Sequence, residues 1–299
     1  MKRLLPLLLA LAVLAGCSAP VPEAEGDGLH ILATTYPVYL FTTAVTEDVE
    51  GVSVTLLVNS QTSCLHDYTL TVGNMKAIEA ADIIVENGGG LEEFMATALE
   101  HSDATVIDCS LGLPLLPAEE HSDHGHDHGE EHDPHFWMDP MLAARMAERI
   151  AAELGELDAP NRARYQENAG ATAERLAELC AWAEDVLADC PRNLVTFHDG
   201  FQYFANAFDL HLLMAIEEED GAAASARELE TVISLVTDYQ LPGIFVEKDG
   251  SSVSARVIAQ ETGCGVGTLD MLMSGDGAGI QPYLDAMRAN LQTVLEVLG

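Results

Sequence analysis

The sequence predicts an α/β protein of two domains, each a mainly parallel four-stranded sheet flanked by helices, joined by one long helix. Eight short apolar or β-branched runs alternate with helical stretches, four in each half of the chain. Most of these runs are continuously apolar and do not alternate, as strands covered on both faces require. Between the halves, Asn161 to Ala188 forms a helical stretch with no proline and a single glycine, Gly170.

The chain opens with Lys2 and Arg3, an apolar run from Leu4 to Val13, and then Leu14-Ala15-Gly16-Cys17. The run is too short to span a bilayer, so residues 1–16 read as an export signal. A cysteine directly after Leu-Ala-Gly resembles a bacterial lipobox. Cys17 is therefore the expected lipidation site and the first residue of the mature chain, anchored to a membrane without crossing it. Residues 17–28, rich in proline, glycine and acid, form a tether. The remaining ~270 residues exceed what one core usually supports. Losing Lys2 and Arg3 takes the formal charge from −36 to −38, which argues against nucleic acid and anionic lipid as partners.

Residues 29–157 make the first domain, with strands at His30–Thr34, Val52–Val58, Asp82–Glu86 and Thr105–Asp108. A helix is expected over Met141–Leu154. Residues 158–190 form the connection, with Asp158-Ala-Pro160 as its start signal and sparse apolar positions at Leu176, Leu179, Val186 and Leu187. A helix near 28 residues long runs about 42 Å and suits a strut along both domains with one wet face. Residues 191–299 make the second domain, with strands at Asn193–Phe197, Leu212–Ile216, Gly243–Glu247 and Val266–Leu269. Ser225-Ala-Arg-Glu228 is a capping box that opens a helix with Leu229, Val232, Ile233 and Val236 on one face. Pro282 sits in the first turn of a last helix that lines up Leu284, Met287, Leu291, Val294 and Leu298. Past Cys17, the cysteines are Cys64, Cys109, Cys180, Cys190 and Cys264, without a Cys-x-x-Cys pair. Their odd number permits two disulfides at most. Cys180 and Cys190 would stand about 15 Å apart on a continuous helix, too far to bridge unless the helix ends between them.

Six of the eleven histidines fall between His121 and His135. His121, His124, His126, His128 and His132 alternate with Gly, Ser and acids in an acidic loop, residues 119–133. These are donors for borderline divalent metals without the framework that fixes a tetrahedral site, so weak accessory ions are expected there. Four other candidates fall where open parallel sheets collect ligands, beyond the carboxyl ends of the strands. His66 lies in the loop after the second strand, His135 just before Phe136-Trp137-Met138-Asp139-Pro140, and His198 and Asp270 directly after their strands. Three imidazoles and a carboxylate make a closed shell for Zn(II). Each also has a plainer reading: a histidine at a strand end is a common surface residue, Asp270 can cap the loop Met271–Gly279, and Phe136 and Trp137 suit a core.

The sequence resembles the substrate-binding lipoproteins of zinc and manganese ABC importers over essentially the whole mature chain. The resemblance is carried by Thr34-Thr-Tyr-Pro37, Leu65-His-Asp-Tyr68, Ala81-Asp-Ile-Ile-Val-Glu-Asn-Gly88 with Leu91-Glu92, and Asp133-Pro-His-Phe-Trp-Met-Asp-Pro140. In the second half it is carried by Thr196-Phe-His-Asp-Gly-Phe-Gln-Tyr-Phe204, Ile244-Phe-Val-Glu247, Glu261-Thr-Gly263 and Leu269-Asp270. It implies two α/β domains joined by one long rigid helix, with one tight metal site in the cleft between them. It places the ligands on His66, His135, His198 and Asp270, and a histidine at position 198 with an acidic His-rich loop marks the zinc branch. Glu247 is a candidate for hydrogen-bonding a ligand imidazole. Two departures stand out: Cys64-Leu65 and Thr69-Leu70 replace the Asp-Pro and Glu-Pro pairs usual in the family. Cys64 near the metal favours softer ions.

The expected function is capture of Zn(II) outside the cytoplasm and delivery to an ABC membrane permease by a monomeric, lipid-anchored protein. Manganese or iron binding on the same fold is the alternative. A zinc hydrolase is the rival from another class, but the chain has no His-Glu-x-x-His and no nucleophile paired with a base.

Overall fold

All eight anticipated runs become strands in the computed structural model, which describes residues 28–59, 65, 68–118, 132–216 and 224–299. They are β1 Leu29–Ala33, β2 Val52–Leu56, β3 Ile83–Glu86 and β4 Thr105–Asp108, then β5 Asn193–Phe197, β6 His211–Ala215, β7 Gly243–Glu247 and β8 Gly265–Leu269. The helices are α1 Tyr36–Val45, α2 Val72–Ala80, α3 Ala96–Leu99, α4 Pro140–Leu157, α5 Arg162–Val186, α6 Gln202–Ala207, α7 Ala226–Asp238, α8 Val253–Thr262 and α9 Gln281–Leu298. No described helix is long and apolar enough to cross a membrane.

Every pairing is parallel, and the two sheets repeat one order, β2-β1-β3-β4 and β6-β5-β7-β8. The strand order therefore reverses between β1 and β3 and again between β5 and β7. Those are the points where adjacent connections leave in opposite directions and open a crevice at the carboxyl ends.

Period-two alternation sorts the second sheet into two faces. Val195, Phe197, Ile244 and Val246 pack on Val232 and Val236 of α7 and Ile258 of α8. Leu194, Phe245 and Leu269 face the other way, into a core that continues through Trp137, Leu176 and Tyr283 to Ile31 and Leu32 of β1. The two halves thus share one apolar core. The caps follow the sequence signals: Ser225 and Glu228 close the α7 box, and Asp139 accepts from the Met141 and Leu142 amides at the start of α4.

The connecting helix lies close to the expected stretch Asn161–Ala188, one residue shorter at its start and two at its end. Ala159–Asn161 forms a 3-10 turn around Pro160, and the 25-residue α5 begins only at Arg162, about 37 Å in length. Pro160 lacks an N–H, and the tighter turn accommodates it before regular α-helical bonding begins. Tyr165, Ala169, Thr172, Leu176, Leu179 and Ala183 are buried along one stripe, and the opposite face is wet. The stripe packs on α4 and α1 of the first half and on α9 of the second. Leu187 caps α5, so Cys190 lies past the helix end; both it and Cys180 are free thiols, as are Cys109 and Cys264.

Polar clamps also tie the halves. The Asn59 amide donates to the Gly275 carbonyl at 2.9 Å and accepts from the Gly275 N–H at 3.0 Å. The Gly277 N–H reaches the Tyr36 hydroxyl at 3.2 Å, and the Gly279 N–H reaches Thr43 Oγ1 at 2.8 Å. A Cβ at Gly275 would stand 2.4 Å from Tyr36, so only glycine fits under that ring.

Candidate metal centre

His135 and His198 come from opposite halves and meet at the carboxyl ends of the strands, with ring centroids 5.6 Å apart. His198 follows β5 directly, at the reversal point of the second sheet. Its φ of 150° is sparsely populated for a residue with a Cβ. The chain bends at His198 and Asp199, and at Gly200 a Cβ would lie 2.4 Å from the Met271 methyl and 3.0 Å from the His198 ring. The sequence therefore keeps a glycine where the loops after β5 and β8 touch.

Several contacts fix His135. Asp133 Oδ1 accepts from the His135 backbone N–H and from Nδ1, both at 2.8 Å. A carboxylate only accepts, so Nδ1 carries the proton and Nε2 is left to donate a lone pair. The Asn87 amide holds the preceding residue, donating to the Pro134 carbonyl at 2.9 Å. Asn87 is held in turn by Glu92, whose carboxylate accepts from the Asn87 and Gly88 amides and from the Thr34 hydroxyl at 2.7–3.0 Å. That knot joins the ends of β1 and β3, the reversal point of the first sheet. Trp137, fully buried, donates from its indole to the Met271 carbonyl at 2.9 Å, one residue beyond Asp270. Burial opposes a second proton on His135, whereas Asp133, Asp199 and Glu247 favour it, and the balance is a raised pKa.

Glu247 ends β7 at the same reversal point as His198 and is only 3% exposed. Its Oε2 is buried without a hydrogen-bond partner among the described residues. Burial pushes its pKa up to about 7; His135 pulls it down, and Asp249 and Asp270 add to the rise. Asp270 follows β8, its Oδ1 accepting from the Leu272 N–H and its Oδ2 from Lys248 Nζ, both at 2.8 Å.

The structure thus brings His135 and His198 into ring contact, with Glu247 and Asp270 at the carboxyl ends of the neighbouring strands β7 and β8. Among the described residues, no three His, Cys, Asp or Glu side chains stand ready as a metal shell. His66 and Cys64 lie outside the described residues, as do His121, His124, His126 and His128. His132 is exposed and bridges to Pro117, and the Asp133 N–H bonds the Leu116 carbonyl, so the base of the acidic loop is stitched three residues before His135. Tyr203 from the second half secures that base, accepting from the Leu116 N–H at 2.7 Å and donating to the Asp133 carbonyl at 3.0 Å. Phe136 and Trp137 are core residues, as their plain reading had it.

Asp133, Asn87, Glu92 and Lys248 carry supporting contacts that the residue pattern alone does not reveal. An acid two residues before a histidine was the available signal for Asp133. Nothing local signalled Lys248.

Residues 31–297 match the family of the periplasmic component A of zinc-uptake complexes, ZnuA. The chain belongs to this family. Its members are binding components of uptake complexes and not enzymes. Residues 1–18 match the prokaryotic membrane lipoprotein lipid attachment site, a span that contains Cys17. The protein is accordingly an exported, membrane-attached lipoprotein. The zinc-binding lipoprotein AdcA of Streptococcus pneumoniae is 29% identical over 98% of this chain, which spans 60% of that relative's length. The manganese-binding lipoprotein MntA of Halalkalibacterium halodurans is 26% identical, over 96% of this chain and 94% of the relative. A crystal structure of ZnuA superposes with a TM-score of 0.79 at 28% identity, covering 91% of this chain and all of that one.

Proposed function

We propose that the protein captures one Zn(II) outside the cytoplasmic membrane and hands it to an ABC permease, working as a monomer held by the lipid on Cys17. The observation that carries the reading is the pairing of His135 and His198 across the cleft, rings 5.6 Å apart, with Asp270 on the same rim. His66 is the fourth ligand in this proposal. Three imidazoles with one carboxylate suit a borderline acid such as zinc better than manganese, which prefers oxygen donors. Such a shell is closed and leaves no position for substrate, so the reading excludes hydrolysis. Glu247 hydrogen-bonds a ligand imidazole, and the histidines at 121–132 hold further ions weakly.

Zinc titration of the chelator-stripped protein tests this. One tight ion per chain, lost in His66→Ala and in His198→Ala, is the expected result; no tight ion, or none lost, refutes it. The MntA relative supports manganese as a second reading. Competition between Zn(II) and Mn(II) at equal concentration separates the two. Deletion of residues 121–132 should leave the tight ion in place and remove the weak ones.

A further inference from the structure

Lysine is rare in this acidic chain, which carries only Lys2, Lys76 and Lys248 against 49 acidic residues. One of the three sits at the metal cleft. The parallel register pairs Glu247 with Leu269, so the residues that leave the two strands next, Lys248 and Asp270, emerge side by side. The Lys248 backbone N–H bonds the Leu269 carbonyl at 2.8 Å, and its ammonium reaches Asp270 Oδ2 at 2.8 Å.

Asp270 has little freedom to offer a cation anything else. Its N–H and carbonyl are both bonded by the Asn290 side chain of α9 at 2.8 Å. Its Oδ1 is taken by the Leu272 amide. Oδ2 is the oxygen left for a metal, and the ammonium is on it. Asp249 and the Tyr36 hydroxyl also lie near the ammonium.

We propose that Lys248 is an internal counter-cation that exchanges with the metal at Asp270 and thereby sets how tightly the ion is held and how fast it leaves. The inference rests on the reading of Asp270 as a ligand. Two effects act together. The ammonium must give up or share Oδ2 before a divalent ion can settle there, and it then stands close to a double positive charge in a partly desolvated cleft. While no metal is bound, it neutralises Asp270 beside the buried Glu247 and keeps the carboxylate directed along the rim. A binding protein that must release its cargo to a permease gains from a ligand whose replacement partner is already in place.

The test is zinc affinity by chelator competition, with zinc dissociation by stopped flow, on full-length wild type, K248M, K248R, D270N and K248M/D270N. The proposal predicts that K248M binds at least about threefold more tightly, through slower dissociation, while K248R stays near wild type. In the D270N background the gain from K248M should shrink, because no carboxylate remains to compete for and only the repulsion between ammonium and metal is relieved. K248M equal to or weaker than wild type, or a gain undiminished in D270N, overturns the proposal and leaves the zinc site standing. D270N binding zinc as wild type does overturns both the proposal and the assignment of Asp270. K248Q, which also lacks the charge, serves as a second variant if K248M folds poorly.

Discussion

Asp133 Oδ1 bonds both the backbone N–H and the ring Nδ1 of His135, each at 2.8 Å, in a side chain only 3% exposed. One buried oxygen thereby sets the ring's orientation and tautomer, and Nε2 is presented to the cleft. Removing such a support typically costs about 10–100-fold in metal affinity. Asp133→Ala should lower zinc affinity by that order and preserve the far-ultraviolet circular dichroism spectrum. Affinity unchanged within twofold would show that the ring is positioned by other contacts.

Gly275 sits beneath Tyr36 and exchanges two hydrogen bonds with Asn59. These contacts seat the 271–279 loop, which starts directly after Asp270, on the first half. Gly275→Ala should destabilise the protein by about 1–3 kcal/mol through overpacking, and Asn59→Ala by about 1–2 kcal/mol through lost hydrogen bonds. Both should also speed zinc dissociation, because the loop carries a ligand at its root. Chemical denaturation and stopped-flow release check the two effects separately.

Glu86 is pushed from 4.5 up to about 7 by burial, with Glu92 and Asp108 adding to the rise. A carboxyl raised in this way binds more protons folded than unfolded, so the stability it contributes is complete below about 4.5 and is lost as pH rises to about 7. Unfolding free energy of the metal-stripped protein should therefore fall across that window. Glu86→Gln should flatten the fall by about 1–3 kcal/mol. Parallel curves for the two proteins would contradict this.

Leu176 is completely buried at the middle of the stripe by which α5 joins the two halves. Leu176→Ala should cost about 2–5 kcal/mol. Because one core runs through both sheets, unfolding followed by the fluorescence of Trp137 and Trp182 and by circular dichroism should remain a single coincident transition. Two separated transitions would mean that the halves unfold independently.

Much of this was legible in the sequence, for identifiable reasons. Continuous runs such as Ile31–Ala33 and Ile83–Val85 declare strands buried on both faces, and the Ser225–Glu228 box and Pro282 mark where α7 and α9 begin. The positions of His198 and Asp270 at strand ends were readable because each directly follows the last apolar residue of its strand. The start of α5 was legible to within one residue, because Asp158-Ala-Pro160 marks it and Pro160 takes the 3-10 turn that leads into it. The supporting residues were hidden. Glu92 acts on Thr34, 58 positions away, and Lys248 acts on Asp270, 22 positions away, so their partners emerge only once strand order and register are known. A shared core is likewise invisible to local pattern, which finds two repeats of four strands and cannot say that Leu194 and Ile31 face the same interior.

The central claim is that zinc is the ion and that residues from both halves hold it. Anomalous scattering across the zinc and manganese edges, from crystals of protein isolated without added metal, measures both at once. The account predicts a single strong zinc peak within coordination distance of His66, His135, His198 and Asp270. A manganese peak, or a zinc peak bound elsewhere with these four residues uninvolved, would contradict it.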